Sequence, residues 1–378
     1  MDAARIDADT LALLQASMQR YGADKYGFAA RRMHLQATPW FSTEAWQDYA
    51  AMGWLALPLA EDQGGFGSHP AAVGALMRYA GETLAQEPLF AGIVLCAPLL
   101  AACQEDEAAR EHLVALCAGR RQFALAHVED LSDGIDGTVA AQVQAGKLRG
   151  RKLMALHGDA AGWLIVSARG AAAGVSLYLV EAADARVHKS VYRLLDGRGA
   201  ASFEFDGAPA LPLGRPGAGA ALLAAMLEPA RLAMCSEALG AMQVLNRDTL
   251  AYLKTRKQFG RPIGANQALQ HRLTEMVMLE QESGAVIDAA QRAVRQNENA
   301  RRRAICGAVA HVMHAGRHIS HEAVQLHGGI GMTDELPVSH YFKRIMVINR
   351  LLGDRDAHLA AFAAADANAH AVRAREPA

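Results

Sequence analysis

The feature that most limits the fold is a double change of hydrophobic period. Up to about residue 121 the apolar residues recur at helical spacing. From about 123 they come instead in short β-prone runs punctuated by glycine: "KLRGRKLMAL", "WLIVSA", "VSLYLV" and "ASFEFDG". Pro209, Pro212 and Pro216 close that stretch, and helical spacing then resumes to the C-terminus. At 378 residues the chain exceeds one ordinary core. The expected fold is mainly α with a β domain. An N-terminal helical domain is placed at 1–121, a small antiparallel β barrel or sheet domain at 122–215, and an antiparallel C-terminal helical bundle at 216–378.

Local signals refine this order. Asp9 is the expected N-cap of a first helix whose Leu11, Leu14 and Met18 share one face. "WLALPLAEDQGGFG" holds Pro58 and three glycines, and reads as a loop whose "GGFG" is a turn. "LFAGIVLCAPLLAAC" is short for a membrane span and broken by Pro98, so it reads as a buried helix. Leu269, Leu273 and Met276 form one later stripe. Ala308, Val312, Ala315 and Ile319 form another, in a helix running into Gln325.

Composition narrows the function classes. Lys+Arg 38 against Asp+Glu 39 gives a formal net charge of -1, which provides no electrostatic footprint for nucleic acid or an anionic membrane. Five scattered cysteines without a Cys-x-x-Cys pair indicate neither a disulfide framework nor a zinc site. The opening "MDAARIDADT" is acidic where a signal peptide would be basic and then apolar. A cytoplasmic protein is expected.

The glycine cluster in "QLHGGIGMTDELPVSHYFKR" (325–344) follows a long helical pattern. A dinucleotide fingerprint places its glycines between a strand and a helix, with different spacing, so a Rossmann loop is excluded. The local reading is a helix end with Gly328 or Gly329 in a left-handed conformation.

That segment and "YLKTRKQFGRPIGANQALQHRLTEM" (252–276) together resemble the acyl-CoA dehydrogenase family. Weaker echoes lie in "ALPLAEDQGGFG" and "LRGRKLMALHGDAAGWLIVSAR". The resemblance implies the same domain order, ending in a four-helix bundle. It also implies FAD, an acyl-CoA substrate, an electron-transfer flavoprotein or similar acceptor, and a homotetramer or heterotetramer. A glutamate removes the α-proton of the thioester while the flavin accepts the β-hydride. The flavin ring lies in one subunit, and its pyrophosphate and adenosine reach the next. Carried over, Arg256 would pair with the pyrophosphate through charge-assisted bonds, Phe259 would pack by the adenine end, and Gln267 would bond on the same side. Gln325 and Gly329 would meet the pyrophosphate, Gly329 by close backbone approach.

The same resemblance exposes departures. The family's catalytic glutamate falls at one of two positions, here Ala230 before Arg231, or Leu352 before Gly353 and Asp354. Neither side chain can carry a proton, so no catalytic residue is assigned. Glu228 and Asp354 are neighbours in sequence, but helical geometry would direct them elsewhere. "LAHVEDLSDG" keeps only an acidic and Ser132-Asp133 echo of the loop that enters the β domain. Met154 stands where a tryptophan shields the flavin, and Leu156 where a threonine bonds near N5.

The pyrophosphate half is thus retained while the ring-and-base half is altered. The chain is expected to lend that half, in trans, to a flavin held by a catalytic acyl-CoA dehydrogenase paralogue. "LLGDRDAHL" adds a resemblance to small subunits of heteromeric acyl-CoA dehydrogenases that act on pimeloyl-CoA-like dicarboxyl chains or steroid side chains. Two alternatives are a self-sufficient homomeric dehydrogenase with a relocated base, and a flavin-free acyl-CoA-binding or scaffolding protein. His311, His314, His318 and His321 share a helical face, but no carboxylate or cysteine completes a metal shell, so a polar or subunit-contact face is expected. Arg301, Arg302 and Arg303 read as a solvated helix start.

Overall fold

Residues 6–132 and 134–373 are described by a computed structural model of the chain. Helix α1 (Ala8–Lys25) starts one residue before the expected cap, Asp9. Asp7 is the cap: its Oδ1 accepts the Thr10 N–H at 2.7 Å and its Oδ2 the Thr10 hydroxyl at 2.6 Å. Asp9 lies inside the first turn, where its charge faces the positive end of the helix dipole. Helices α2 (Phe28–His34), α3 (Thr43–Ala51) and α4 (Pro70–Thr83) follow.

The "GGFG" stretch is a tight turn. Gly64 and Gly67 have φ of 80° and 90°, and a Cβ on Gly65 would sit 2.3 Å from the Leu59 carbonyl oxygen. The long apolar run is buried as expected, although it opens as a π-helix (Leu89–Cys96) before α5 (Ala97–Ala101). Pro98 sits in the first turn of α5, where a missing N–H costs no intrahelical bond. Helix α6 (Glu107–Cys117) is capped by Asp106, which accepts the Ala108 N–H.

Strands β1 (Phe123–Ala126), β2 (Gln142–Gln144), β3 (Lys147–Leu156), β4 (Trp163–Arg169), β5 (Val175–Glu181), β6 (Val187–Arg193), β7 (Gly199–Pro209) and β8 (Leu211–Leu213) form one sheet. Its order is β6-β7-β3-β2-β4-β5-β8, with β1 on β4. Most ladders are antiparallel, but the sheet is mixed: β1 pairs parallel with β4, Phe123 opposite Trp163 and Ala126 opposite Val166. The β2–β3 hairpin lies between them in sequence and turns the chain back, so β4 runs in the direction of β1. The interior of β4 and β5 is buried residue after residue, and their near-continuous apolar sequences fit that position. Strand β6 is the opposite case, an edge strand whose His188, Lys189 and Ser190 are exposed and discourage further pairing.

After the sheet come α7 (Gly219–Thr255), a short hairpin of β9 (Lys257–Gln258) and β10 (Arg261–Pro262), α8 (Gln267–Ala293), α9 (Glu298–His327), α10 (Pro337–Leu351) and α11 (Arg355–Arg373). Helix α9 packs on α8, α10 and α11. Its expected stripe is the buried one, with Ala308, Val312, Ala315 and Ile319 all at 1% exposure or less. The stripe on α8 is weaker: Met276 is buried, while Leu269 and Leu273 are half-buried. Val277 and Met278 on that helix are exposed.

Contacts group the chain into two compact units. One comprises residues 1–16, 29–76 and 86–230 and contains the sheet; the other comprises 17–28, 77–85 and 231–378. Within the second unit the end of α4 crosses α7 with no room for a side chain. A Cβ on Gly81 would lie 1.9 Å from the Glu237 carbonyl oxygen, and one on Gly240 would lie 2.1 Å from that of Arg78. Gly240→Val is expected to force the helices apart and lower stability by about 1–3 kcal/mol. Urea titration followed by circular dichroism measures it, and an unchanged midpoint would refute the close crossing.

Candidate active site

The segment from 249 to 274 contains no acidic residue, while Lys254, Arg256, Lys257 and Arg261 are all exposed. Such an arrangement presents positive charge without internal neutralisation and suits a phosphate. The Arg256 N–H closes the last turn of α7 onto Tyr252 O at 2.8 Å, and its carbonyl accepts the Ile263 N–H at 2.9 Å. The backbone at Arg256 is therefore fixed while its guanidinium has no ion-pair partner among the described residues.

Between β9 and β10 stand only Phe259 and Gly260, with φ of 52° and 81°. Two successive left-handed residues are what a tight two-residue hairpin demands, and Gly260 meets that demand without cost. Phe259 does not, because a Cβ is disfavoured there. Its side chain is also 101% exposed, so the chain itself buries none of the ring. Gln267 opens α8 and is exposed; before it, Arg261 donates to Asn266 Oδ1 at 2.9 Å and Gln270 to Gly264 O at 2.8 Å, which braces the loop.

The second motif ends α9. Gly328 takes φ 68° and ψ −149° and starts a 3-10 turn, Gly328–Met332. Gly328, not Gly329, has the positive φ, but its ψ lies far from the left-handed helical value, so the expected left-handed cap is replaced by a glycine-only extended turn. Gln325 and Gly329 are exposed, and a Cβ on Gly328 or Gly329 would meet nothing within 4 Å. Tyr252 joins the two motifs: its hydroxyl donates to His327 O at 3.3 Å, and its ring stacks on His327 at 4.4 Å. Four residues before Arg256 therefore meet two residues before Gly329. Both Tyr252 and His327 lie within the two motif segments but are not among the residues to which the resemblance gives a role.

Residues 217–365 match the family model described as "Acyl-CoA dehydrogenase, C-terminal domain". Over 80% of this chain and 82% of the relative, the sequence is 26% identical to "Acyl-CoA dehydrogenase FadE27" of Mycobacterium tuberculosis. Residues 217–365 thus carry the C-terminal domain of the acyl-CoA dehydrogenase family. "Acyl-CoA dehydrogenase IpdE2" of Mycolicibacterium smegmatis is 38% identical over 34% of this chain. That match spans only 39% of the relative's length, and the match to its Mycobacterium tuberculosis namesake spans 35%. Among solved structures, the "Tcur3481-Tcur3483 steroid ACAD" variant superposes with TM-score 0.85 at 26% identity, covering 96% of this chain and 99% of that one. The ChsE4-ChsE5 complex of Mycobacterium tuberculosis superposes with TM-score 0.84 at 23% identity over the full length of both chains, a likeness of fold.

Against this family, the two expected base positions are apolar and buried. Ala230 is 2% exposed on α7, and Leu352 is 1% exposed at the C-cap of α10. Asp354 is exposed and Oδ1 accepts the Asp356 N–H at 3.1 Å, so its carboxylate serves the start of α11. Glu228 is half-buried on α7.

The stretch "LAHVEDLSDG" is occupied with its own unit. Lys152, fully buried, donates to Glu129 Oε1 at 2.6 Å, Ser167 Oγ at 3.0 Å and His127 O at 3.1 Å. Glu129 also accepts the N–H groups of Ala140 and Ala141. Burial works against its charge, but the Lys152 bond and those two donors outweigh it and hold the carboxyl below its usual range. Burial pulls Lys152 below the ordinary lysine value, with Glu129 opposing that in part. Ser132 donates to Asp130 Oδ1, and Asp133 lies outside the described residues. Met154 sits at φ 49° where the β3–β7 register shifts, and Leu156 is buried opposite Ala200. Neither side chain can donate a hydrogen bond.

Two histidines of the expected face have neighbours on other helices, while His314 is exposed. His311 faces Glu282 on α8 at 3.9 Å, and His321 contacts Phe342 of α10 edge-on while bonding Arg317 O. Arg303 lies over the Phe362 ring at 5.0 Å, and Asn297 caps the helix by accepting the Ala300 N–H.

Proposed function

We propose that this chain is a subunit of a heteromeric, FAD-dependent acyl-CoA dehydrogenase. In this reading it lacks a catalytic glutamate and lends its pyrophosphate- and adenosine-binding surface to a flavin seated in a catalytic paralogue. FAD, when bound, supplies the acceptor for the β-hydride of the acyl-CoA thioester. Arg256 binds the pyrophosphate, Phe259 packs by the adenine, Gln267 bonds beside it, and Gln325 with Gly329 offers an unobstructed edge. The α-proton is taken by the partner's glutamate.

The observation that carries this reading is Phe259. An aromatic residue held in a left-handed conformation and left wholly in water is unfavourable in an isolated chain, and becomes favourable when something outside the chain covers it. The open glycine edge, and Arg256 with no ion pair among the described residues, supply the matching chemistry for a dinucleotide. Apolar burial at both Ala230 and Leu352 supports the division of labour. Likeness to a steroid enzyme and to a complex of two different proteins supports a hetero-oligomer acting on a steroid-side-chain or similar acyl-CoA. Electrons pass to an electron-transfer flavoprotein or similar acceptor, in the cytoplasm.

The test is reconstitution. The chain is purified alone and together with a paralogue from the same source that carries the glutamate. Flavin and acyl-CoA-dependent dye reduction are expected only in the mixture. Turnover and tight flavin in this chain alone would reject the reading, and a colourless, inert mixture would do so equally.

A further inference from the structure

The two dinucleotide-facing segments come from distant parts of the sequence, so something must set the distance between them. A direct link between them is the contact of Tyr252 with His327. Tyr252, on the last turns of α7, reaches His327 both through its hydroxyl, at 3.3 Å from the His327 carbonyl, and through its ring, stacked at 4.4 Å and 26°. His327 is itself fixed: it is 6% exposed, and its Nδ1 lies 2.8 Å from Ala323 O. A carbonyl can only accept, so Nδ1 carries the proton and Nε2 is the bare nitrogen of a neutral ring.

We propose that Tyr252 and His327 are positioning residues that hold the Arg256 hairpin and the Gly328–Gly329 turn in register for the dinucleotide, and that charging His327 releases them. This rests on the half-site reading above and adds its regulation. A second proton would go on Nε2, inside a buried stack, where it needs an acceptor. The groups around the ring offer few. On α7 they are the Tyr252 ring and the carboxylate of Asp248, which acts through space; on α9 the Ala323 carbonyl is already used. The Gly328–Met332 turn has no ionisable side chain. Burial dominates over the favourable pull of the Ala323 bond and Asp248, so the imidazole is held below its ordinary value. The neutral ring therefore prevails at pH 7, and acidification must break the stack or tilt the ring. Either movement shifts the His327 carbonyl away from the Tyr252 hydroxyl and carries Gly328 with it.

The sign follows from linkage. A group whose charged form is disfavoured in the bound geometry has no effect well above its pKa in the flavin-free assembly, here held below the ordinary value, and weakens binding as pH falls through that lowered pKa. FAD affinity of the mixed assembly is thus expected to be flat above about pH 7 and to fall by about tenfold per pH unit once the ring titrates. The experiment titrates the assembly of this chain and its glutamate-bearing paralogue with FAD, by flavin fluorescence, from pH 7.5 to 5.5. Wild type is compared with His327→Phe, which keeps a stacking ring but cannot titrate, and with Tyr252→Phe, which loses only the hydroxyl.

For wild type a measurable drop of less than about tenfold is expected across this range, because burial holds the ring below its ordinary value. For His327→Phe the ratio of affinities at the two pH values is expected to approach one. Tyr252→Phe is expected to bind more weakly at every pH while keeping a pH slope. An unchanged slope in His327→Phe overturns the proposal but leaves the half-site reading standing, and so does a Tyr252→Phe titration superimposable on wild type. No FAD binding by the wild-type assembly at pH 7.5 overturns both.

Discussion

Arg344→Ala is expected to cost about 3–5 kcal/mol of unfolding free energy in the helical unit that carries the proposed dinucleotide surface. Arg344 on α10 lies 2.7 Å from Glu237 Oε1 on α7, with both side chains 1% exposed. Its other nitrogen donates to Ala85 O at 3.0 Å and Leu84 O at 3.4 Å, at the end of α4. One guanidinium therefore ties together three segments far apart in sequence. Removing it takes the Arg344 charge away from the buried Glu237 carboxylate, and that loss is the larger part of the cost. Replacing both partners by apolar residues, as in Arg344→Met with Glu237→Leu, is expected to recover much of the loss. Urea unfolding of the single and double variants checks this. A single variant within about 0.5 kcal/mol of wild type would show that the pair is not the clasp its geometry describes.

What the sequence revealed, and what it withheld, follows the range of the interactions involved. The β region was legible because its signal is local: alternation and glycine punctuation can be read from "VSLYLV" without knowing its neighbours. Pairing direction was not, since the parallel match of β1 with β4 depends on where a loop and a hairpin between them go. The cap of α1 was misplaced by two residues because Asp7 and Asp9 are chemically identical candidates, and only the Thr10 contacts select between them. Lys152 reads as a strand-surface lysine until Glu129, Ser167 and His127 close around it from separate segments. In the candidate site the motif residues were legible, but the Tyr252–His327 contact that joins their segments spans 75 positions of sequence. A further local signal is that no acid stands between Asp248 and Glu275 around four exposed cations, an arrangement that suits an anion.

The largest functional effect is expected at Arg256, and Phe259 provides the control that separates function from folding. Arg256→Ala removes a guanidinium that makes no ion pair among the described residues, so the unit should keep its stability. What is lost is a charge-assisted bond to the pyrophosphate, worth about 1.5–3 kcal/mol, or roughly 10–100-fold in FAD affinity of the mixed assembly. Arg256→Lys should restore only part of it, because an ammonium keeps the charge but not the forked geometry. Phe259→Gly moves the two properties in opposite directions. Glycine relieves the left-handed strain at φ 52°, on the order of 1 kcal/mol, so the hairpin should become more stable. Flavin retention should fall nonetheless, since the ring that covers the adenine end is gone. Thermal unfolding of the isolated chain and flavin content of the assembly after gel filtration measure the two sides separately. If Phe259→Gly raised stability and left flavin content intact, the exposed ring would have another partner, and the dinucleotide reading of this surface would fail. If both variants lost flavin with the chain still folded, the nucleotide surface of this subunit would be required by an active site whose acid–base residue it does not provide.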